Sequence, residues 1–146
     1  MREPPVILRD AVSETCDLLD AVQSQLGLPD RMHAYAAVQS VLHAAREGLP
    51  ASSTLRMAAG MPLFIGGLTV RDWHPSAAHP DRQTFHHRVG ERLPLNFPLP
   101  AAQTAAGVIA VLARCMDAAA LSSLHASTRS FLSPPPAPNR PHPGQP

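Results

Sequence analysis

The stretch Asp30–Val70 constrains the fold of this chain more strongly than any other segment. In its first half, apolar residues recur at steps of three and four, the spacing of an amphipathic helix: Tyr35, Val38, Leu42 and Ala45. Glycine and proline then interrupt this pattern twice, at 48–50 and at 60–62. Asp30 is the predicted N-cap of the first helix, and Ser52 or Ser53 is predicted to cap the next. The segment therefore predicts one long helix followed by short ones, joined by tight turns.

The last part of this segment, 63–70, has two possible structures. Leu63-Phe64-Ile65 followed by Gly66-Gly67 is compatible with a short strand or with a helix. A strand needs a partner for its backbone groups, and the sequence contains no second strand-like run. We therefore predict a helix, with Pro62 at its first position and the glycine pair marking close packing or early fraying.

Helical spacing also governs the N-terminal residues. A narrow apolar stripe, widened on one flank by Ala11 and Leu18, runs along a helix predicted from about Ile7 to Gln25: Leu8, Val12, Thr15, Leu19, Val22 and Leu26. Gly27 is predicted to end this helix in the left-handed conformation, and Pro29 prevents its continuation. The N-terminal part is thus a helix that leads directly into the segment beginning at Asp30.

Three more helices are predicted after a loop at 71–80. Asp81 is the expected cap of the first, with Phe85, Val89 and Leu93 on its apolar line and Arg88 and Arg92 outside it. The second is Ala-rich and spans Ala101 to Arg114. The third follows Asp117, and its leucines and Thr128 keep helical spacing.

A weak internal echo relates the two halves of the chain. The hexapeptide AVQSVL at 37–42 resembles GVIAVL at 107–112, and each is followed by a short connection and a second helix. We predict an all-α fold: a compact bundle of six to seven helices, built from two related helical hairpins. Residues 1–132 form one domain, with helical parts at 5–70 and 81–132. The last fourteen residues, SPPPAPNRPHPGQP, have no side chains able to build a core, so we expect a disordered Pro-rich tail at 133–146.

Composition and charge exclude several classes of function. A net charge of +1 provides no electrostatic footprint for nucleic acid or anionic membrane. All twelve basic residues are Arg, which removes lysine nucleophiles and lysine general bases. Cys16 and Cys115 lie far apart without a CxxC motif, which favours small core residues over a disulfide or a metal site. The longest apolar stretch, Met57 to Val70, is too short to span a bilayer, and no signal peptide is apparent. These features predict a cytoplasmic protein without membrane insertion.

The order of short motifs resembles a known family. The motifs that carry the likeness are Val41-Leu42-His43, Arg46-Glu47, Leu49-Pro50, Met61-Pro62-Leu63, Gly67-Leu68, Trp73-His74-Pro75, and then Phe85, Val89 and Leu93. Together they resemble DUF2267, a family of uncharacterised bacterial helical proteins, over roughly Leu8 to Leu132. The resemblance implies a helical fold. It implies no enzymatic activity, cofactor or site, because the likeness lies in a pattern rather than in a catalytic signature.

This chain departs from the family pattern after Met61-Pro62. Where the family favours an arginine and an aromatic pair before Gly-Trp, this chain has Gly66, then Thr69-Val70, and Asp72 before Trp73. In the second half, Ser127-Thr128 stands where the family pattern has Leu-Pro. The resemblance therefore implies a divergent member, which lacks the arginine and aromatics of the family pattern after Met61-Pro62.

Histidines supply the clearest candidates for metal chemistry. Four of them lie close together in sequence near Asp72 and Asp81, in the residue types that zinc prefers: His74, His79, His86 and His87. None of these pairs has the HxxxH spacing that places two imidazoles on one helix face, and His86 and His87 point about 100° apart on a helix. The spacing favours solvated histidines over a metal site, and we predict no cofactor.

No recognised catalytic motif occurs in the chain. There is no GxSxG, GxGxxG, phosphate-binding loop or EF-hand loop, and neither cysteine has a motif partner. A cluster of methionines and aromatics instead permits a groove for a ligand or partner, or a plain core: Met57, Met61, Phe64, Ile65 and Trp73. We therefore predict a non-enzymatic helical module that binds another protein or itself. The alternatives are a carrier of small apolar ligands with its pocket near Met61, Phe64 and Trp73, and a histidine-based metal-binding protein.

Overall fold

A computed structural model describes residues 2–75 and 84–132, with side chains described as far as Thr128. Within this part of the chain there are seven helices and no strand: α1 (Val6–Leu26), α2 (Arg31–Glu47), α3 (Ala51–Ala59), α4 (Leu63–Val70), α5 (Phe85–Arg92), α6 (Ala101–Leu112) and α7 (Ala118–Leu132). The predicted all-α fold class is confirmed. The segment 63–70, for which a strand was the alternative, is helical.

The turn between α1 and α2 follows from its sequence. Gly27 has φ 64°, the left-handed conformation that glycine adopts without steric cost, and Leu28 N–H donates to the Gln23 carbonyl at 3.0 Å. Asp30 accepts from the backbone N–H of His33 at 2.8 Å, which begins α2 as predicted. At the other end of the chain, Asp117 caps α7 in the same way, with Ala120 N–H at 2.8 Å from its carboxylate.

Several predicted helix starts were wrong. Helix α3 begins at Ala51 directly after Pro50, without a side-chain cap, so Ser52 and Ser53 lie inside the helix rather than before it. Pro62 is the N-cap of α4 and not its first helical residue. Proline occupies these boundary positions because its fixed φ suits the entry to a helix and it has no N–H to leave unsatisfied. Thr84 caps α5, whereas Asp81, the predicted cap, lies outside the described residues.

Arg88 was also placed wrongly by the sequence pattern. It was expected outside the apolar line of α5, but its side chain is only 2% exposed, beside the fully buried Phe85 and Val89. The pattern failed because α5 packs against α2, α6 and α7, so more than one face of this short helix is covered.

Helix α2 lies at the centre of the molecule. Every residue from Ser40 to Arg46 is buried, and the helix contacts α1, α4, α5, α6 and α7. Small residues make this possible, because Ala34, Ala37, Ala44 and Ala45 let neighbouring backbones approach closely. The core therefore surrounds α2, with large side chains supplied mainly by the helices packed against it.

The sequence similarity between segments 37–42 and 107–112 extends to the packing of whole helices. Helices α1, α2 and α3 correspond in order to α5, α6 and α7. The first helix of each set contacts the second helix of both sets: α1 contacts α2 and α6, and α5 contacts α6 and α2. The second helices contact each other, as do α3 and α7. The correspondence is partial, because α2 and α5 also contact α7 whereas α6 and α1 have no comparable contact with α3 in the described residues, and α4 is the element without a counterpart.

Helix α1 is only partly covered by this arrangement. Leu18, Val22 and Leu26, in its second half, are buried, whereas Leu8 is 41% and Val12 51% exposed. Its first half is therefore an uncovered continuation of the predicted apolar stripe. No helix in the described residues is both long and apolar enough to cross a membrane.

Candidate functional site

An apolar groove lies where α4 crosses α1 and α2. It has a volume of about 430 Å³ and is lined by two residues of α1, one of α2 and five in or just after α4: Thr15, Leu19, Tyr35, Phe64, Ile65, Gly67, Leu68 and Arg71. The volume falls within the range of small-molecule and peptide sites. Three elements distant in sequence form this groove, so it is a product of tertiary packing.

The floor of the groove is buried and its rim is open. Ile65 is 2% and Leu68 8% exposed, whereas Phe64 on the rim is 41% exposed. The Arg71 guanidinium lies at one edge, 3.4 Å from the Tyr35 hydroxyl, and is the one charged group in the lining. An occupant would thus meet hydrocarbon below and one cation with a phenol at the edge.

The two adjacent glycines of α4 face different surroundings. A Cβ on Gly66 would lie 2.5 Å from the Ala58 carbonyl oxygen, so this position lets α4 pack directly against the backbone of α3. A Cβ on Gly67 would meet no atom within 4 Å, because Gly67 faces the open groove. The predicted explanation of close packing holds for Gly66, while Gly67 widens the groove.

Two polar side chains of α2, His43 and Arg46, hold the C-terminal end of α4. The Nε2–H of His43 donates to the Leu68 carbonyl at 2.9 Å, since a carbonyl can only accept. Arg46 donates to the carbonyls of Thr69, Arg71 and Asp72. The Leu68 carbonyl also accepts from the Arg71 backbone N–H at 3.3 Å, so His43 adds a second donor there, whereas Arg46 binds carbonyls at and beyond the end of the helix. The position of α4, and with it the width of the groove, therefore depends on two buried polar residues of α2.

Burial lowers the pKa of His43 below its ordinary value, and the nearby positive charges of Arg46 and Arg92 act in the same direction. The hydrogen bond to Leu68 opposes this shift only in part. The imidazole is consequently neutral near pH 7 and serves as a hydrogen-bond donor to the backbone. Arg92, which lowers this pKa from α5, is itself paired with Glu47.

The groove lining lacks the groups that acid–base or nucleophilic catalysis needs. None of its eight residues is a carboxylate, histidine, cysteine or serine, and the Thr15 hydroxyl already donates to the Ala11 carbonyl at 2.8 Å. Cys16 and Cys115 are half-buried free thiols outside the lining, and burial raises the pKa of Cys115, which lowers its thiolate fraction. The polar groups of the lining are thus the hydroxyls of Thr15 and Tyr35 and the guanidinium of Arg71.

The five residues predicted to form a groove are divided between the core and the groove. Phe64 and Ile65 do line it. Met57 is fully buried in the core, and Met61 packs half-buried against it, with the Thr69 hydroxyl 3.3 Å from its sulfur. Trp73 is half-buried beyond the end of α4 and does not line the groove.

Sequence reasoning missed Leu19, Tyr35 and Gly67 as groove residues. Leu19 and Tyr35 were assigned to the apolar stripes of α1 and α2, and nothing local distinguishes a stripe residue that faces a neighbouring helix from one that faces a cleft. The narrowness of the α1 stripe was the available signal for a cleft. A single line of apolar residues offers surface for only one contact with neighbouring helices.

The candidate metal ligands do not come together in the described part of the chain. No group of three or more histidines, cysteines and carboxylates within metal-binding reach occurs there. His74 is exposed, His86 packs its ring near Phe85, and the Nε2 of His87 lies 3.1 Å from a Glu91 carboxylate oxygen. His79 lies outside the described residues. The metal hypothesis therefore has no geometric support where the structure can be inspected.

The described part of the chain is thus an all-α fold with an apolar groove between α1, α2 and α4. A family model described as an uncharacterised conserved protein, DUF2267, matches residues 15–127. This chain belongs to the DUF2267 family, as its motif order predicted. No match was found among curated proteins.

The departures from the family pattern have visible structural consequences in α4 and α7. An arginine at Gly66 has no room against the Ala58 carbonyl, so the close contact of α3 and α4 depends on this replacement. Thr69 is buried and donates to the Ile65 carbonyl at 2.8 Å. Ser127, in the second half, donates to the Ala45 carbonyl at 2.8 Å and ties α7 to α2. Gly66 and Ser127 thus each join two helices, whereas the Thr69 bond lies within α4.

Proposed function

We propose that this chain is a non-enzymatic helical binding module, with the groove between α1, α2 and α4 as its binding surface. Its partner is another protein or a second copy of the chain, and it acts in the cytoplasm. The observation that carries the proposal is the groove itself: a buried apolar floor, an open rim and no catalytic group in the lining. Grooves of this kind receive apolar faces of helices in many complexes.

The exposed surface beside the groove supports a macromolecular occupant. Leu63 at the start of α4 is 57% exposed, and Leu8 and Val12 on α1 are similarly uncovered. Contiguous exposed apolar surface of several hundred Å² is uncommon on monomers without a binding role. A small molecule would fill the groove without covering these residues, whereas a helix or another protein would cover both.

The test is retention of a partner by the groove. Full-length protein, protein ending at Leu132, and the groove-filling variant Gly67→Leu are compared by light scattering and by pull-down. We expect a complex or self-assembly with the natural chain that Gly67→Leu abolishes, because the leucine occupies the space left open at Gly67. A strict monomer that retains no partner in any form would contradict the proposal.

A second candidate function is transport of small apolar ligands, favoured by the groove volume of about 430 Å³. Medium-chain fatty acids and alcohols are suitable probes, because Arg71 at the edge matches a carboxylate. Saturating ligand should raise the melting temperature of the natural chain and not of Gly67→Leu. Emission of Trp73, the single tryptophan, is a second readout, although this residue lies outside the groove. If neither signal changes across the panel, this candidate fails.

A further inference from the structure

The apolar stripe of α1 does not end where the groove ends. Leu8, Val12, Thr15 and Leu19 follow one another at steps of four, three and four, which places them along one face of the helix. Thr15 and Leu19 line the groove, and Leu8 and Val12 continue the same line outside it, exposed to 41% and 51%. The concave groove and the projecting helix end are therefore neighbours on one face of the molecule.

The carboxylates of α1 avoid this face, and Arg9 flanks it. Asp10, Glu14 and Asp17 point more than about 100° away from the stripe, given 100° per residue in a helix, whereas Arg9 lies about 60° from Val12. A second helix along the stripe would consequently bring no carboxylates together, and Arg9 would lie at the side of the contact. The spacing of four and three is also that of the seam at which paired helices interlock.

We propose that the occupant of this surface is a second copy of the chain, docked by two antiparallel α1 helices about a two-fold axis near Val12. This inference rests on the proposed function and names the partner. In this arrangement Leu8 of the partner subunit lies about 6 Å beyond the axis, given 1.5 Å per residue, and so beside Thr15 at the mouth of the groove. A two-fold interface needs one surface that complements itself, and a groove adjoining a projecting apolar helix end meets that need.

The size of the surface indicates a weak dimer. Beside the groove, Leu8 is 41%, Val12 51% and Phe64 41% exposed, so the apolar surface per copy is on the order of a few hundred Å². Two copies would thus bury less than about 1,000 Å² in total, the size of weak and transient interfaces. A reversible dimer is expected, with monomer and dimer in exchange.

Analytical ultracentrifugation of the full-length chain tests the proposal, with three variants measured over a range of concentrations up to about 1 mM. Val12→Glu places a charge at the axis, and Gly67→Leu fills the groove where there is open space. Val6→Glu is the matched control, because Val6 is 60% exposed on the same helix but about 120° away from Val12. Circular dichroism and melting temperature establish that each variant is folded.

The expected result is a dimer whose dissociation constant rises at least about tenfold (1.4 kcal/mol) in Val12→Glu and in Gly67→Leu and less than about twofold in Val6→Glu. A natural chain that is monomeric throughout overturns the proposal. So does a dimer that both groove-side variants leave intact, because its interface would then lie elsewhere. A dimer lost on removal of residues 133–146 also overturns it and makes the Pro-rich segment the occupant.

These outcomes separate the dimer from the broader proposal. A monomer that retains a different protein, and loses it in Gly67→Leu, overturns self-docking and leaves the binding module standing. A monomer that retains nothing overturns both.

Discussion

His43 and Arg46 show how two side chains determine the position of a helix. Both lie on α2 and are buried, and both donate to carbonyls at the end of α4. A buried carbonyl without a donor costs roughly 1–3 kcal/mol, so removal of Arg46 would leave carbonyls at this helix end unsatisfied. Removal of His43 would leave the Leu68 carbonyl only its 3.3 Å bond from the Arg71 N–H. The VLHAARE motif thus carries a structural function that its sequence does not reveal.

The lowered pKa of His43 makes stability depend on pH. In the unfolded chain the imidazole binds a proton below about pH 6.5, whereas burial resists protonation in the folded state. Its contribution is therefore fully present above that pH and is lost as pH falls through the lower folded pKa. In His43→Gln, the amide donor replaces the imidazole N–H and does not titrate. We expect a smaller loss of melting temperature between about pH 7.5 and 5.5 than in the natural chain.

The control for this experiment is His74→Gln, the same change at an exposed position. It should retain the pH dependence of the natural chain. Identical pH profiles for the two variants would contradict the role assigned to His43.

Arg46→Lys tests the arrangement of donors rather than the charge. The guanidinium reaches three carbonyls at once, and a lysine ammonium has neither the planar fork nor the same reach. We expect a loss of about 1–3 kcal/mol in the free energy of unfolding, measured by urea denaturation. Arg56→Lys, at an exposed position on α3, is the comparison and should change stability by less than about 0.5 kcal/mol.

At the scale of elements, α4 is the helix on which the candidate site depends. It has no counterpart in the related three-helix unit, it forms one wall of the groove, and three neighbours hold it: α1, α2 and α3. Its identity as a helix was predictable, because no partner strand exists in the sequence. The different surroundings of Gly66 and Gly67 were not, since both are glycines in one apolar run.

These two positions provide a matched pair of substitutions. Gly66→Ala places a methyl group against the backbone of α3 and should lower the free energy of unfolding by about 1–3 kcal/mol. Gly67→Ala meets open space and should raise it by about 0.5–1 kcal/mol, because alanine loses less backbone entropy in a helix. Urea denaturation of both variants measures the contrast. Equal effects, in either direction, would show that the groove and the α3 contact are not as described.

At the scale of the whole molecule, the chain is an arrangement of two related units around α2. The unit α1–α3 and the unit α5–α7 share part of their helix contacts, and the equivalent segments 34–42 and 104–112 bury residues at several matching positions. The first half of α1 and the whole of α4 depart from this symmetry. The groove lies between these two departures, which is why only one such site is expected from two related halves.

The predicted division between the domain at 1–132 and the tail at 133–146 can be tested at this scale. The tail sequence has no large apolar side chain, so its removal should leave the core intact. We expect the melting temperature of a chain ending at Leu132 to differ by less than about 2 °C from that of the full-length protein. A large drop, measured by differential scanning calorimetry, would assign the tail a place in the folded domain.

Sequence alone determined the helices, most of their boundaries and the family. These features depend on residues within one or two helical turns, so they can be recognised from the sequence without knowledge of the fold: helical spacing, the left-handed Gly27 and the caps Asp30 and Asp117. Tertiary structure decided which apolar residues are covered. Val12 and Val22 belong to one stripe, yet one is exposed and the other buried, because the bundle covers the surface of α1 around Val22 and leaves that around Val12 open. Burial of Arg88 and the groove beside Gly67 have the same origin, because each depends on how helices far apart in sequence meet. A periodic sequence pattern shows that a helix face is apolar without showing what covers that face.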